Sequence, residues 1–142
     1  MQITRNSLET KPGPSDYFTG DVLLDVVAVN PEPSRVQAMN VHFAPGARTA
    51  WHTHPLGQAI YVLEGVGRVC REGEAPQEIR PGDSVFFEPG ENHWHGAAPD
   101  RFMAHIAIQE SGEDGLPVSW GEQVSDEDYT REPDDDGARE SA

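Results

Sequence analysis

The sequence predicts an all-β domain, a small antiparallel barrel or sandwich of short strands. Three observations predict it. Fourteen Gly and 12 Pro punctuate the 142 residues every few positions, which breaks long helices. Between them lie short runs rich in Val, Ile, Phe and Tyr, the composition of strands. Those runs recur at even spacing with turn residues between them, the pattern of sandwiches and barrels.

Taken in order, strands are expected over 22–29, 36–43, 50–54, 58–63, 67–71, 77–79, 84–88 and 102–108. Turns fall at Ala44-Pro45-Gly46, Pro55-Leu56-Gly57, Pro81-Gly82-Asp83 and Pro89-Gly90-Glu91. Gly65-Val66-Gly67 joins two strands and is not a dinucleotide fingerprint, because no helix pattern follows it. A short helix is expected over 126–129, capped by Ser125 with acids in its first turn. Alternation assigns Met39, Val41, Phe43 and Leu63 to barrel packing, with a few of them bordering a substrate. The last strand reads as buried on both faces: Met103, His105, Ala107 and Gln109 on one, Phe102, Ala104, Ile106 and Ile108 on the other. His42 has the opposite parity to Val41 and belongs outside. Arg48 is expected in a structural ion pair and Trp94 in packing or a subunit contact.

Charge narrows the function. Asp and Glu number 25 against 10 Lys and Arg, a net of −15. Such a chain repels phosphate backbones and anionic lipid, so neither nucleic acid nor membrane is an expected partner. No apolar run approaches the roughly 20 residues of a membrane span. The N-terminus lacks the apolar core of a signal peptide, so a cytoplasmic location is expected. Residues 110–142 hold 12 acids and 2 bases. Residues 131–142 therefore read as a solvated acidic tail behind one domain over 1–130. The lone Cys70 excludes an internal disulfide and a thiolate metal cluster, and it reads as inert.

All six histidines fall in the middle of the chain: His42, His52, His54, His93, His95 and His105. His52-Thr53-His54 places two imidazoles on one face of a strand, about 7 Å apart at Cα. Two such rings can converge on one ion, or they can be structural histidines satisfied by hydrogen bonds. Gln58 follows after a Pro-Leu-Gly bend, and His93 follows Pro89-Gly90-Glu91. Two neighbouring strands could bring all four side chains to one point.

The spacing Gly46-x5-His52-x-His54-x3-Gln58-x6-Gly65 resembles the first signature motif of the cupin superfamily, with Gln58 where cupins usually carry Glu. Gly82-Asp83, with Pro89-Gly90-Glu91-Asn92-His93, resembles the second motif. Its proline lies one place late, and Ala97 stands where an asparagine is common. The core of the likeness spans residues 36–110. It implies an all-β cupin fold, a small jelly-roll-like antiparallel barrel.

A closer likeness joins the stretches Pro45 to Gln58, Pro89 to Pro99 and Ile106 to Glu110 to the small bacterial manganese cupins with (R)-selective hydroxynitrile lyase activity. Tyr17-Phe18-Thr19-Gly20 and Val124-Ser125-Asp126-Glu127 share it more loosely. It implies one divalent ion on His52, His54, Gln58 and His93, with Mn favoured and Fe, Co, Ni or Zn possible on donor chemistry. It implies catalytic roles for His105 and His95, whose ordinary pKa of about 6.5 suits proton transfer near neutrality. Thr49, Gln109, Val41 and Met39 are the candidate substrate contacts. Thr49 and Gln109 can equally serve backbone capping and core satisfaction.

The amide of Gln58, unlike a carboxylate, leaves the full charge of a divalent ion uncancelled. That favours Lewis-acid chemistry without excluding oxygen chemistry. The expected activity is cleavage of a cyanohydrin to an aldehyde and cyanide, and the reverse addition, with His105 taking the hydroxyl proton assisted by His95. A Mn- or Fe-dependent dioxygenase acting on a small aromatic or unsaturated compound is the alternative, and a non-catalytic small-molecule-binding cupin a third. The expected partners are a small-molecule substrate and further copies of the chain, as a dimer or tetramer.

Overall fold

The computed structural model describes residues 1–5 and 9–134. Its strands are β1 (Lys11–Pro12), β2 (Phe18–Thr19), β3 (Val22–Val29), β4 (Val36–Phe43), β5 (Arg48–Thr49), β6 (His52–Thr53), β7 (Gln58–Gly65), β8 (Gly67–Arg71), β9 (Gln77–Ile79), β10 (Ser84–Phe87), β11 (His93–Ala97), β12 (Met103–Glu110) and β13 (Ser119–Trp120). One short helix, α1 (Asp126–Thr130), follows. The strands form two antiparallel sheets. The six-stranded sheet runs β1-β3-β4-β12-β7-β10. In the seven-stranded sheet β11 is central, pairing β5, β6 and β8.

The core lies between the sheets. Val41, Phe43, Ile60, Val62, Met103 and Ala107 from one meet Val69, Ile79 and Ala97 from the other. Alternation sets which residues point inward. Gln58, Ile60 and Val62 alternate into the barrel along β7, and Met103, His105 and Ala107 do so along β12. The register places His105 beside Val41 and Val62, and Gln109 beside Gln37 and Gln58.

A second buried cluster holds Trp94, Cys70, Val124 and Tyr129. Trp94 is thus in packing, as its parity requires. Ser125 caps α1, its hydroxyl accepting from the Asp128 N–H. Arg48 is buried, donates to Val124 O at 2.7 Å and Asp126 Oδ1 at 2.8 Å, and lies 4.4 Å from the Tyr129 ring centre. Tyr129 donates its hydroxyl to Ala97 O. These contacts fasten the helix to the strand that carries His93 and His95.

Three local expectations change. Of the strand expected over 50–54 only His52–Thr53 (β6) forms; β5 precedes it, and the pairing partner switches from β2 to β13 between them. Leu63 points outward and is 37% exposed, since Val62 holds the inward position beside His105. The outer face of the last strand is only partly buried: Ile108 is 42% exposed and Phe102 37%, while Ala104 is covered. Phe102 stacks on the outward His42 at 5.2 Å. Of the acidic tail, Arg131 O accepts from Arg68 and the Asp134 N–H donates to Pro76 O. The rest, 135–142, lies outside the described residues.

Candidate active site

Two turns place the donors. Pro55-Leu56-Gly57 turns the chain from β6 into β7. Gly57 takes φ +82°, and a Cβ there would sit 2.6 Å from Phe87 O, so glycine is required for Gln58 to enter the sheet beside Phe87. The turn at Pro89-Gly90-Glu91 brings His93 opposite His52 on the paired strands β11 and β6. Gly96 lets β11 and β5 approach closely, since a Cβ there would lie 2.5 Å from Ala47 O.

His52, His54, Gln58, His93, His95 and His105 are all buried and gathered between the sheets. The ring centres of His52 and His93 are 4.2 Å apart, those of His52 and His54 5.1 Å, and those of His54 and His93 5.6 Å. Ring nitrogens of His52, His93 and His95 lie within 4.8 Å of one another. His93 stacks on Phe87 at 3.7 Å, and Trp120 lies 4.8 Å from His52.

Hydrogen bonds settle which nitrogens carry protons. Nδ1 of His52 donates to Ala50 O at 2.8 Å, that of His54 to Pro117 O at 2.6 Å and that of His93 to Glu91 O at 2.8 Å. A neutral imidazole has one N–H, so each Nε2 presents a lone pair. The Gln58 amide nitrogen donates to Gln109 Oε1 at 3.1 Å, which turns Gln58 Oε1 toward the histidines. Gln58 Oε1 lies 3.1 Å from His93 Nε2.

The contact between His93 Nε2 and Gln58 Oε1 therefore sets two acceptors against each other with no proton between them. His54 Nε2 is buried without a protein partner. Buried lone pairs that converge in this way fit a cation, and three imidazole nitrogens with one amide oxygen suit a divalent transition metal. The backbone carbonyls that accept from each Nδ1 are the outer partners that orient metal-binding histidines.

Burial lowers the pKa of all these histidines and keeps them neutral near pH 7. His52 and His95 lie well below the ordinary value, with neighbouring histidines adding to the effect. His54 is also lowered, and His93 and His105 are held at about 4.

Beside the lone pairs stands a second arrangement. His105 Nε2 lies 2.9 Å from His95 Nδ1, and His95 Nε2 lies 3.1 Å from Gln58 Oε1. A line of close contacts thus leads from Gln58 through His95 to His105, whose Nδ1 is buried without a partner. Thr49 Oγ1 accepts from the His95 N–H at 3.2 Å and holds that strand in place. Val41 and Met39 face inward on β4, opposite His105 and Ala107.

Sequence reasoning missed three contributors. Glu91 O and Pro117 O orient His93 and His54, and backbone acceptors leave no trace in composition. Trp120, on a two-residue strand, is brought against His52 by a long-range pairing, and its neighbourhood carries no strand signal.

Known proteins agree with this architecture. The family model described as the cupin domain matches residues 39–107. The (R)-mandelonitrile lyase of Granulicella tundricola is 54% identical over 132 residues, which cover 92% of this chain and all of that protein. The crystal structure of a cupin-like protein from Thermotoga maritima superposes with a TM-score of 0.79 at 36% identity, covering 88% of this chain and 95% of that one. The polyketide cyclase RemF from Streptomyces resistomycificus shares the fold at a TM-score of 0.65 and 20% identity, over 91% of this chain and 89% of that one. A barrel with its histidines at these positions, and relatives this similar over almost the whole chain, make it a member of the cupin family.

Proposed function

We propose that this cupin is a metal-dependent hydroxynitrile lyase, cleaving a cyanohydrin into an aldehyde and cyanide and catalysing the reverse addition. The observation that carries the reading is the hydrogen-bonded His95–His105 pair beside the gathered rings of His52, His54 and His93. The 54% identity to an (R)-mandelonitrile lyase supports the same chemistry.

His52, His54, Gln58 and His93 would hold the ion. His54 is preferred over His95 because His95 is paired with His105 through Nδ1, which leaves its Nε2 for proton transfer, whereas His54 Nε2 has no partner. When bound, a divalent ion supplies a Lewis acid that lowers the pKa of a hydroxyl. Manganese is the ion we favour, in a cytoplasmic dimer or tetramer.

The chain's own residues carry the proton. In the tautomer with His95 Nδ1–H donating to His105 Nε2, the Nε2 lone pair of His95 faces the site. It takes the cyanohydrin hydroxyl proton while Nδ1 passes its own proton to His105, which becomes the cation. The alkoxide electrons form the carbonyl, the C–C bond breaks, and cyanide leaves with that electron pair. The proton returns along the same path and neutralises it. Val41 and Met39 would border the substrate. The Thr49 hydroxyl and the Gln109 amide nitrogen would be the polar groups that meet it.

The test is turnover of a cyanohydrin panel by the metal-loaded protein. Cyanide and aldehyde released in equal amounts support the reading. No release, with oxygen consumed alongside a phenolic or alkene substrate, replaces it with a dioxygenase.

A further inference from the structure

We propose that Gln109 is a positioning residue, which makes the oxygen rather than the nitrogen of the Gln58 amide available to the histidines. The inference rests on the reading of Gln58 as a ligand.

An amide can turn over at almost no steric cost, because its oxygen and nitrogen are nearly the same size. Gln58 is 4% exposed, so either orientation must satisfy its N–H groups within the protein. Turned over, the Gln58 amide nitrogen would donate to His93 Nε2, which lies 3.1 Å from the present Oε1. That orientation is self-satisfying, and it puts a donor where a cation needs an acceptor.

The observed orientation instead sends the amide nitrogen to Gln109 Oε1 at 3.1 Å. The two residues sit directly opposite each other on β7 and β12, on the inward face, so the contact is built into the register. Without an acceptor at position 109, the oxygen-inward orientation buries an unpaired N–H, and the nitrogen-inward orientation does not. Gln109 thus acts on the ion through Gln58, which distinguishes it from a residue that touches only substrate.

Three variants of the full chain test this: Gln109→Met, which fills the space without an acceptor, Gln109→Glu, which can only accept, and Gln109→Met in a Gln58→Glu background. A carboxylate has no wrong way round. Manganous ion is titrated into stripped protein and free ion is read by electron paramagnetic resonance. The Gln58 side-chain amide is located in the metal-free protein by nuclear Overhauser contacts.

Gln109→Met is expected to weaken binding at least about tenfold, the scale of one unsatisfied buried donor, and to move the amide protons from position 109 to His93. Gln109→Glu should bind at least as tightly as wild type and keep the amide protons on position 109. In the Gln58→Glu background, Gln109→Met should change affinity less than about threefold.

Equal losses in both backgrounds, or amide protons that stay put in Gln109→Met, overturn the proposal and leave Gln58 as a ligand. A fourth variant, Gln58→Ala, tests the assignment beneath it: unchanged affinity there overturns the ligand assignment and the proposal with it.

Discussion

His105 Nε2 and His95 Nδ1 lie 2.9 Å apart, wholly buried, on two strands from opposite sheets of the barrel. His105 is outside both ligand motifs, and His95 separates it from Gln58. Proton handling and metal binding can therefore be separated by mutation. His105→Ala should retain full metal occupancy while kcat for cyanohydrin cleavage falls at least about a hundredfold. Elemental analysis beside steady-state kinetics checks this. Near-normal cleavage by that variant assigns the proton to His95 alone.

His54→Ala should lose the ion. Its Nε2 is buried without a partner and its Nδ1 is fixed on Pro117 O, so its lone pair has no other use. Binding to the folded state adds to stability, so the rise in Tm on adding metal should disappear with the residue. Stoichiometric metal still bound in the variant would remove His54 from the site.

Acid should destabilise the metal-free protein before its carboxylates titrate. Burial lowers the folded pKa of His52, His54, His93, His95 and His105, to about 4 for His93 and His105. Between about 6.5 and those values the unfolded chain binds more protons than the native one, so stability rises with pH there. It is fully present above about 6.5 and is lost as pH falls toward 4. His93 and His105 each withdraw about 1.4 kcal/mol per pH unit in that window. Thermal melts of stripped protein from pH 7.5 to 4.5 should show Tm falling steadily, and a flat profile contradicts the burial.

Removing residues 135–142 should leave Tm and metal content unchanged. That segment is acidic and nearly devoid of apolar side chains, whereas the last described residue, Asp134, is still tied to Pro76. A large loss of either property would show that the segment docks on the barrel.

Much of this was legible because strand geometry is local. The alternation that puts His52 and His54 on one face, and Met103, His105 and Ala107 on another, follows from a period of two. The turns follow from Pro-Gly pairs. Leu63 shows where hydrophobicity misleads: counting by twos from Gln58 sends Val62 inward and Leu63 out, and a β-bulge in the pairing with β12 follows Ala104. The contacts that orient the donors were not legible. Gln58 with Gln109, and His54 with Pro117, are 51 and 63 residues apart. Only the assembled register brings them together. The relay between His95 and His105 was visible as two candidate residues and not as one hydrogen-bonded unit, for the same reason.

The proposed cyanohydrin cleavage depends on a bound ion. Its most direct test follows cyanide and aldehyde released from racemic mandelonitrile by the native protein, by protein stripped with a chelator, and by stripped protein resupplied with manganous ion. Equimolar products are expected, with the (R) enantiomer consumed first, loss of activity on stripping and its return on resupply. Cyanide release that never exceeds the uncatalysed background in metal-loaded protein, across a panel of cyanohydrins, would contradict it.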